Sequence, residues 1–555
     1  MAKKNPHYLG IITQGSLTSG LVMKLDAAHS VEDLRVGRFV VVEGKRARFF
    51  SMLVDISLSA SNQSFLDDPP LDSPFALAVI QAGAAYGTVK VQPMLMLENN
   101  AELRPVKTIP SHFSSVCEAN EDDFALVFGA ENEKDKENYY FNIGKPINME
   151  TPVCLNLERF IERSNGIFGK SGTGKSFLTR ILLCGLIKKD VASMLVFDMH
   201  NEYGWQALSE NKSQPRVKGL KQLFGSRVTV FSLDPASSKA RGIPDPHELL
   251  IGYNQIEIED LDLLKEELNL SEAILENAYI VREKFGADWI ATLLDMSSEE
   301  IDIFVAENKG HTSAIKALQR RLNTIIQKTA YLRPRVSQNY IDEILRYIEA
   351  GNHVVLEFGR QNNLLSYMLA TNIITRKIHA EYVRRSELHM ADPDNVPSPR
   401  KLTIVLEEAH KFLSSQVARG TIFGTIAREM RKYSVTLLIV DQRPSGIDSE
   451  IMSQLGTRVT ALLNDEKDID AVFTGISGSQ TLRTVLAQLD PKQQVLVMGY
   501  AVPMPVVIRT RSFDSDFYAA VAPDSIYNGQ THYETHDNTK VRERAKKAAE
   551  EVFGA

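Results

Sequence analysis

The chain has 555 residues, enough for roughly two to four domains. Its 43% hydrophobic and 24% charged residues are typical of a globular protein, and a net charge of −7 excludes a surface coated throughout by nucleic acid, although not a local basic channel. No apolar run approaches the roughly 20 residues of a membrane span, and residues 1–10 lead into no apolar signal segment. The cysteines (Cys117, Cys154 and Cys184) are odd in number and lack metal-ligand spacing, so we expect a reducing, cytoplasmic setting without membrane contact.

The first part of the chain, residues 1–148, is rich in short strands and turns. Strand-like runs occur at Leu21–Leu25, Phe39–Val42 and Phe49–Ile56, and turn-rich pieces at 16–20 and 67–74 separate them. Short strands with regular turn signals predict a small N-terminal β-barrel.

From residue 149 to about 520, apolar strand candidates alternate with helical stretches. Several of these strands are continuous β-branched runs, which is typical of strands buried on both faces of a parallel sheet. The strands that we predict are Val191–Phe197, Arg227–Phe231, His353–Phe358, Leu402–Leu406, Val435–Val440 and Val459–Leu463. The charged sequence with helical periodicity at about 245–348 predicts a helical insertion. In the tail, 521–555, Lys540–Phe553 is a helix candidate that would be marginal alone, and it is either frayed or a strap onto a neighbour.

A phosphate-binding loop is the strongest motif in the sequence. It lies between a predicted strand, Ser164–Phe168, and an apolar helix, Phe177–Ile187, and both flanks disfavour a chance glycine-rich turn. The loop matches G-x-x-x-x-G-K-[ST] at every fixed position with Gly169, Lys170, Ser171, Gly172, Thr173, Gly174, Lys175 and Ser176. Its amides and the following helix N-terminus would face phosphate, with Lys175 on the β- and γ-phosphates and Ser176 on Mg²⁺. The sequence thus predicts a RecA-like ATPase domain that uses ATP and Mg²⁺.

Acidic residues that could complete this site follow two predicted strands. Glu407 would lie beside the metal and Glu408 beside the attacking water, unless both are solvated glutamates at a strand end. Asp198, at the carboxyl edge of the sheet, could support the metal, although it could also belong to an exposed turn. We expect His410 to be structural rather than catalytic.

Polar and basic residues could complete the site within or between subunits. Arg431, on a predicted helix, and Arg163, before the phosphate loop, are candidates for an arginine inserted into a neighbouring site, and Gln442 could sense the γ-phosphate or position water. The alternative for either arginine is a surface ion pair.

Two basic groups could contact nucleic-acid phosphates, or could be ordinary solvated faces. One follows the second strand of the α/β domain and the other lies in the predicted insertion. Their residues are Lys212, Arg216, Lys218 and Lys221, and Arg320, Arg321 and Lys328.

These pieces together resemble the HerA family within the HerA/FtsK group of DNA-pumping motors, over roughly residues 8–512. Glutamate at the first acidic position matches this family, whereas Ser164 and Met430 stand where the family often has histidine and glycine. Besides the N-terminal barrel, the resemblance rests on Glu407-Glu408-Ala409-His410, on Asp198 with Glu202-Tyr203, on Arg431-Lys432-Tyr433 and on Gln442-Arg443-Pro444-Ser445.

The resemblance implies a homohexameric ring that translocates double-stranded DNA and works with a NurA-like nuclease docked on the barrel side. It also implies that Glu408 is the catalytic acid, that Arg431 is the arginine supplied in trans, and that Arg163 matches the family's upstream arginine. The role could be DNA-end processing in repair or anti-phage defence. The alternative is a ring scaffold that activates a defence effector, a nuclease or an NAD-degrading enzyme, with little translocation of its own. A transporter-type ATPase is disfavoured because the sequence lacks an L-S-G-G-Q type signature, and a conjugation pump because no membrane segment is present.

Overall fold

A computed structural model describes residues 8–61, 85–98, 103–147, 149–208, 216–418, 420–476, 480–523 and 525. The chain divides into two compact units, of which unit 1 comprises residues 1–156, 459–463 and 477–511 and unit 2 the remainder. None of the helices in the described ranges has the length and apolarity that a membrane span requires. The turn-rich piece predicted at 67–74 and the helix predicted at Lys540–Phe553 lie outside the described residues.

A closed antiparallel barrel forms the N-terminal part of unit 1. Its strands are β1 (Tyr8–Ser16), β2 (Gly20–Leu25), β3 (Phe39–Glu43), β4 (Ala47–Ala60), β5 (Ala85–Glu98), β6 (Leu103–Pro105) and β7 (Ser115–Glu118). Six strands follow one another in the order β2-β1-β7-β3-β4-β5, and β5 pairs back with β2, so the sheet closes on itself while β6 extends it beside β5. Closure leaves these six strands without a free edge.

The alternation of side chains along the strands separates two apolar faces of the barrel. Val40 and Val42 belong to the core cluster inside, whereas Phe39 lies on the other face against helix α1 (Glu121–Phe128). The four phenylalanines of that contact pack ring against ring at centroid separations of 5.4–6.3 Å: Phe39, Phe50, Phe124 and Phe128. Asn120 caps α1 and accepts the backbone N–H of Asp123, whose carboxylate pairs with Arg48 of β4 at 2.7 Å.

Strands β8 (Tyr140–Pro146) and β9 (Val153–Asn156) complete the first part of unit 1. The strands that follow in the chain are β10 (Asn165–Phe168), β11 (Ser193–Asp198), β12 (Gln206–Leu208), β13 (Arg216–Lys218), β14 (Val228–Ser232), β15 (His247–Glu248), β16 (Ile251–Gly252), β17 (Leu332–Arg333), β18 (His353–Glu357), β19 (Leu402–Glu407), β20 (Val435–Asp441), β21 (Thr457–Ala461), β22 (Gln494–Gly499) and β23 (Val506–Thr510). In unit 1, β22, β23, β8 and β9 pair in that order, all antiparallel.

A parallel sheet forms the centre of unit 2. Its strands run in the order β15-β14-β18-β11-β19-β20-β10, and every neighbouring pair is parallel. All residues of β11, β18, β19 and β20 are buried, because helices cover both faces of the sheet, and this explains their continuous apolar sequences.

The helices after α1 carry the chain between these strands. They are α2 (Leu157–Ile161), α3 (Lys175–Lys189), α4 (Leu220–Phe224), α5 (Pro235–Ala240), α6 (Ile258–Leu263), α7 (Lys265–Leu268), α8 (Glu272–Phe285), α9 (Trp289–Asp295), α10 (Ser298–Asn308), α11 (Thr312–Lys328), α12 (Tyr340–Glu349), α13 (Leu364–Ala391), α14 (His410–Leu413), α15 (Ile422–Glu429), α16 (Ser449–Gln454), α17 (Glu466–Val472), α18 (Gln480–Ala487) and α19 (Ser515–Val521). The buried Asp260 of α6 pairs with Arg376 of α13 at 2.7 Å and accepts from Asn372, which ties α6 to the long helix α13.

The fold confirms the predicted class, a mixed α/β chain with an N-terminal β-barrel followed by a P-loop ATPase domain. The strands predicted after residue 149 lie within one or two residues of the observed ones, including β21, predicted at Val459–Leu463 and observed at Thr457–Ala461. The strand predicted at Phe49–Ile56 is longer in the structure, where β4 spans Ala47–Ala60.

Candidate nucleotide-binding and catalytic site

The phosphate loop connects β10 to α3 at the carboxyl edge of the parallel sheet. Gly172 and Gly174 have φ of 79° and 89°, a left-handed conformation that side chains disfavour, and a Cβ on either would meet no atom within 4 Å. The glycines are therefore required by backbone conformation, and the space beside them is open. The Lys170 carbonyl accepts from the Thr173 hydroxyl at 2.7 Å and from Lys175 Nζ at 3.3 Å, so the loop curls back on itself.

Lys175 begins helix α3 and is partly buried among carboxylates. Burial lowers the pKa of Lys175, and the negative charges of Glu408, Asp441, Glu407 and, more weakly, Glu202 raise it. A cation surrounded in this way lies where the loop amides could also hold the anionic phosphates of a nucleotide. Ser176, the next residue of α3, is partly buried beside it and could offer its hydroxyl to a metal ion.

Three adjacent parallel strands end in buried carboxylic acids at one level of the sheet. Asp198 of β11 pairs with Glu357 of β18, and Phe197 pairs with Leu406, so that Glu407 ends β19 beside them. The carboxyl edge of an open α/β sheet is where ligands bind in this class of fold. The phosphate loop and this row of acids therefore share one edge of unit 2.

Glu407 is held at both its backbone and its side chain. Its carboxylate oxygen Oε1 accepts from the Tyr203 hydroxyl at 2.8 Å, and its backbone carbonyl accepts from the Tyr367 hydroxyl at 2.9 Å. The second oxygen, Oε2, is buried without a hydrogen-bond partner among the described residues. Burial, together with the negative charge of the neighbouring Asp198, raises the pKa of Glu407 to about 8.

The buried, unpartnered Oε2 of Glu407 fits a role next to a cation, which would supply the missing charge. In the described part of the chain, no group of three His, Cys, Asp or Glu is placed to hold a metal ion by itself. Mg²⁺ typically takes one or two protein ligands together with substrate phosphates and water, and this arrangement suits Glu407 with Ser176.

Asp198 fixes the loop after β11. Its carboxylate accepts the backbone N–H groups of Glu202, Tyr203 and Gly204 at 2.7, 2.8 and 3.1 Å. Burial nevertheless raises the pKa of Asp198, because it outweighs these three bonds. Asp198 is not an exposed turn residue. It shapes the turn that carries Tyr203, and its contact with Mg²⁺ stays a prediction.

Glu357 belongs to the acidic row although the sequence reasoning missed it. Its carboxylate pairs with Arg241 and accepts from the Ser238 hydroxyl at 3.0 Å. Burial raises the pKa of Glu357 to about 7, with a further contribution from Asp198. Glu357 ends the apolar strand His353–Glu357, just as Glu407 ends Leu402–Glu407. This shared pattern was the signal that could have indicated Glu357 as a site residue.

Glu408 lies next to Glu407 in a left-handed conformation, with φ of 48°. The Gln442 amide lies 3.4 Å from both oxygens of its carboxylate. His410 Nδ1 is 3.0 Å from Asp441 Oδ2 and 3.7 Å from Glu408 Oε2, and the His410 backbone N–H also donates to Asp441 at 2.7 Å. Asp441 thus anchors His410, which agrees with a structural role for this histidine, and the structure brings Glu408, Gln442 and Lys175 together.

Arg163, the first of the candidate arginines, is not brought into this site within the subunit. Arg163 precedes β10, at the opposite end of that strand from the phosphate loop, which is about 20 Å for six residues of extended chain. Its side chain packs on Gly456, where an added Cβ would lie 2.6 Å from Arg163 Cβ. Arg431 lies in the short 3₁₀ turn Met430–Tyr433 after α15, and its side chain is outside the described residues. Arg163 could therefore act only on the site of a neighbouring subunit, and the role of Arg431 in trans stays a prediction.

Part of the first predicted basic group is used in packing. Lys221 Nζ donates to the Val228 carbonyl at 2.7 Å, and Lys218 lies over the Tyr518 ring at 5.4 Å from its centroid. Arg216 is exposed, and Lys212 lies outside the described residues. In the second group Arg320 and Lys328 of α11 are exposed and Arg321 is partly buried, so this group is the better placed for an external anion.

Comparison with known proteins gives one consistent family. The family model described as "Helicase HerA, central domain" matches residues 141–378. The curated protein "DNA double-strand break repair helicase HerA" of Sulfolobus acidocaldarius is 22% identical over 510 residues, which cover 91% of this chain and 94% of that protein. Its namesake in Saccharolobus solfataricus is 23% identical over 512 residues, which cover 89% and 91% of the two chains.

Solved structures also align with part of this chain. VirB4 of Thermoanaerobacter pseudethanolicus aligns with a TM-score of 0.42 and 13% identity, over 67% of this chain and 96% of that structure. The plasmid coupling protein TrwB in complex with ADP and Mg²⁺ aligns with a TM-score of 0.40 and 11% identity, over 69% and 92%.

Proposed function

Because this chain belongs to the HerA family of P-loop ATPases, we propose that it hydrolyses ATP with Mg²⁺ to move double-stranded DNA through a ring of identical subunits. The observation that carries this proposal is the meeting of Lys175, Glu407 and Glu408 at one sheet edge beside an open glycine loop. This arrangement joins phosphate binding to activation of water.

Each residue has a distinct task in the proposed reaction. The loop amides of residues 169–176 and Lys175 bind the β- and γ-phosphates, and Ser176 and Glu407 hold Mg²⁺, with Asp198 as a further candidate. Bound Mg²⁺ would neutralise charge on the phosphates as the β–γ bond breaks.

Glu408 accepts a proton from the attacking water, and Gln442 orients the Glu408 carboxylate and that water. Arg431, with Arg163 as the second candidate, stabilises the transferring phosphoryl group of the neighbouring subunit.

The assembly and its partners extend the proposal beyond the single chain. We propose a homohexamer, which the resemblance to the HerA family implies and in which one copy could supply an arginine to the next, and a nuclease or defence effector docked on the barrel. The role would lie in DNA-end processing or in anti-phage defence. The names of the curated relatives, which this chain matches over about nine tenths of its length, support DNA as the substrate.

The experiment is ATP hydrolysis by the purified chain with and without linear duplex DNA, with Glu408→Gln as the matched inactive control. Stimulation of hydrolysis by duplex DNA, absent from the control, is the expected result. The hydrolysis rate could instead be the same with and without DNA, in a protein shown by light scattering to be a hexamer. That result would favour a ring scaffold that activates an effector. The absence of any hydrolysis above the control would contradict the ATPase assignment for the isolated chain.

A further inference from the structure

Tyr203 makes the hydrogen bond that fixes the Glu407 carboxylate. The Tyr203 side chain is fully buried, and its hydroxyl donates to Glu407 Oε1 at 2.8 Å. Its ring comes from the loop after β11, whereas Glu407 ends β19, so the bond joins two neighbouring strands across the sheet.

The backbone of Tyr203 is held at both of its polar groups. Its N–H donates to Asp198 Oδ2 at 2.8 Å, and its carbonyl accepts the Leu220 N–H at 2.8 Å. The flanking amides of Glu202 and Gly204 donate to the same Asp198 carboxylate. The phenol is therefore carried on a rigid support, so its hydroxyl defines one position for Glu407 Oε1.

Arg180 connects this support to the helix of the phosphate loop. Arg180 lies on α3, four residues after Ser176, and is almost fully buried. Its guanidinium lies 5.7 Å from the centroid of the Tyr203 ring, and its Nη2 donates to the Glu202 carbonyl at 3.0 Å. The helix that carries Ser176 and the loop that carries Tyr203 are thus packed as one body.

We propose that Tyr203 is a positioning residue, which holds Oε1 of Glu407 so that Oε2 is the oxygen presented to Mg²⁺ or to its bound water. This inference rests on the proposed function. The reason is geometric: Oε1 is occupied by the phenol, and Oε2 is buried without a hydrogen-bond partner among the described residues. Without the hydroxyl, the carboxylate would rotate between two equivalent orientations, and the metal would bind a less ordered ligand.

The test is Tyr203→Phe, which keeps the ring and removes only the hydroxyl. The matched control is Tyr331→Phe, because Tyr331 is also a fully buried tyrosine, and its hydroxyl donates to a backbone carbonyl, that of Ser366, at 3.1 Å. For both variants, calorimetry measures how much Mg²⁺ strengthens the binding of a non-hydrolysable ATP analogue. The Mg²⁺ dependence of ATP turnover is measured in parallel.

We expect Tyr203→Phe to lose roughly 10-fold to 100-fold of the Mg²⁺ enhancement of binding, and to require correspondingly more Mg²⁺ for turnover, while metal-free nucleotide binding is retained. Tyr331→Phe is expected to keep the wild-type Mg²⁺ response. Equal responses in the two variants, or an unchanged Mg²⁺ response in Tyr203→Phe, would overturn the inference.

Two further measurements separate the possible failures. If Tyr203→Phe does not fold, fluorotyrosine at position 203 retains the ring and the donor. It donates more strongly and so withdraws negative charge from the Glu407 carboxylate, which is expected to weaken the Mg²⁺ enhancement. No change with fluorotyrosine would count against a positioning role. If wild-type protein shows Mg²⁺-enhanced binding but no ATP turnover, the proposed function fails while the inference about Tyr203 is still decided by the binding data.

Discussion

The side-chain amide of Gln442 lies 3.4 Å from both carboxylate oxygens of Glu408. The two residues follow neighbouring parallel strands, β20 and β19, so the contact is set by the register of the sheet rather than by nearness in sequence. An amide centred on a carboxylate leaves the other lone pairs of both oxygens able to accept a proton. This contact makes Glu408 the best-oriented base candidate at the edge.

Replacing Glu408 by glutamine keeps the size of the side chain but removes its ability to accept a proton. We expect Glu408→Gln to bind ATP and Mg²⁺ like the wild type and to lose roughly 100-fold or more of turnover, because a positioned base contributes about 10²–10⁴-fold. Fluorescent-nucleotide binding and steady-state phosphate release measure the two effects. Loss of binding in a folded variant would instead make Glu408 a ligand.

Replacing Lys175 by alanine removes the cation from the centre of the carboxylates. We expect Lys175→Ala to abolish turnover and to weaken the binding of ATP more than the binding of ADP, because Lys175 contacts the β- and γ-phosphates. Lys284→Ala, an exposed lysine at the end of α8, is the control for loss of a surface charge. Wild-type turnover in Lys175→Ala would show that the nucleotide lies elsewhere.

Arg431 can be tested only in mixed assemblies, because its proposed target is the site of a neighbour. We expect Arg431→Ala and Lys175→Ala each to be inactive alone and to recover part of the activity when mixed. In the mixture, an intact phosphate loop in an Arg431→Ala subunit can meet an intact arginine from a Lys175→Ala subunit. Turnover is measured across mixing ratios, and the formation of mixed assemblies is verified by mass. The absence of turnover at every ratio would argue against Arg431 as the arginine supplied in trans.

His353 predicts a pH dependence of stability. It begins β18 fully buried, and neither ring nitrogen has a hydrogen-bond partner in the described part of the chain. Burial, helped by the charges of Arg227 and Arg400, lowers the pKa of His353 to about 3. Between the ordinary histidine value near 6.5 and that value, the unfolded chain binds a proton that the folded chain does not, so stability falls as pH falls.

Replacing His353 by leucine removes this proton linkage. As pH falls from 7 to 5, we expect the free energy of unfolding of the wild type to fall relative to that of His353→Leu. The difference between the two proteins is expected to shift in favour of the variant by about 2 kcal/mol at pH 5. Denaturant unfolding at each pH measures it, with the exposed His112→Leu as the control for loss of a surface imidazole. A difference that does not change with pH would mean that the unfolding transition does not expose His353.

The sequence predicted the parts of the site that are local in the chain. The phosphate loop has fixed spacing between a strand and a helix, and Glu407 and Glu408 end a continuous apolar run, so both could be assigned without knowledge of strand order. The bond from Tyr203 to Glu407 could not, because it depends on β11 and β19 being neighbours. Glu357 ends an apolar run of the same kind as Leu402–Glu407 and was overlooked. The same reasoning overlooked Arg180, since a buried arginine on the apolar helix α3 is explained by partners in the loop after β11, namely the Tyr203 ring and the carbonyl and carboxylate of Glu202.

The left-handed conformation of Glu408 sets activity against folding at a single residue. A non-glycine residue with φ of 48° costs on the order of 1–2 kcal/mol relative to glycine, so the chain is less stable for having its candidate base there. Glycine or asparagine at position 408 would relieve that strain while removing the base, and such inactive proteins would fold at least as well as the active one. Selection for stability alone would therefore favour glycine or asparagine at this position, and with either residue the proposed base would be lost.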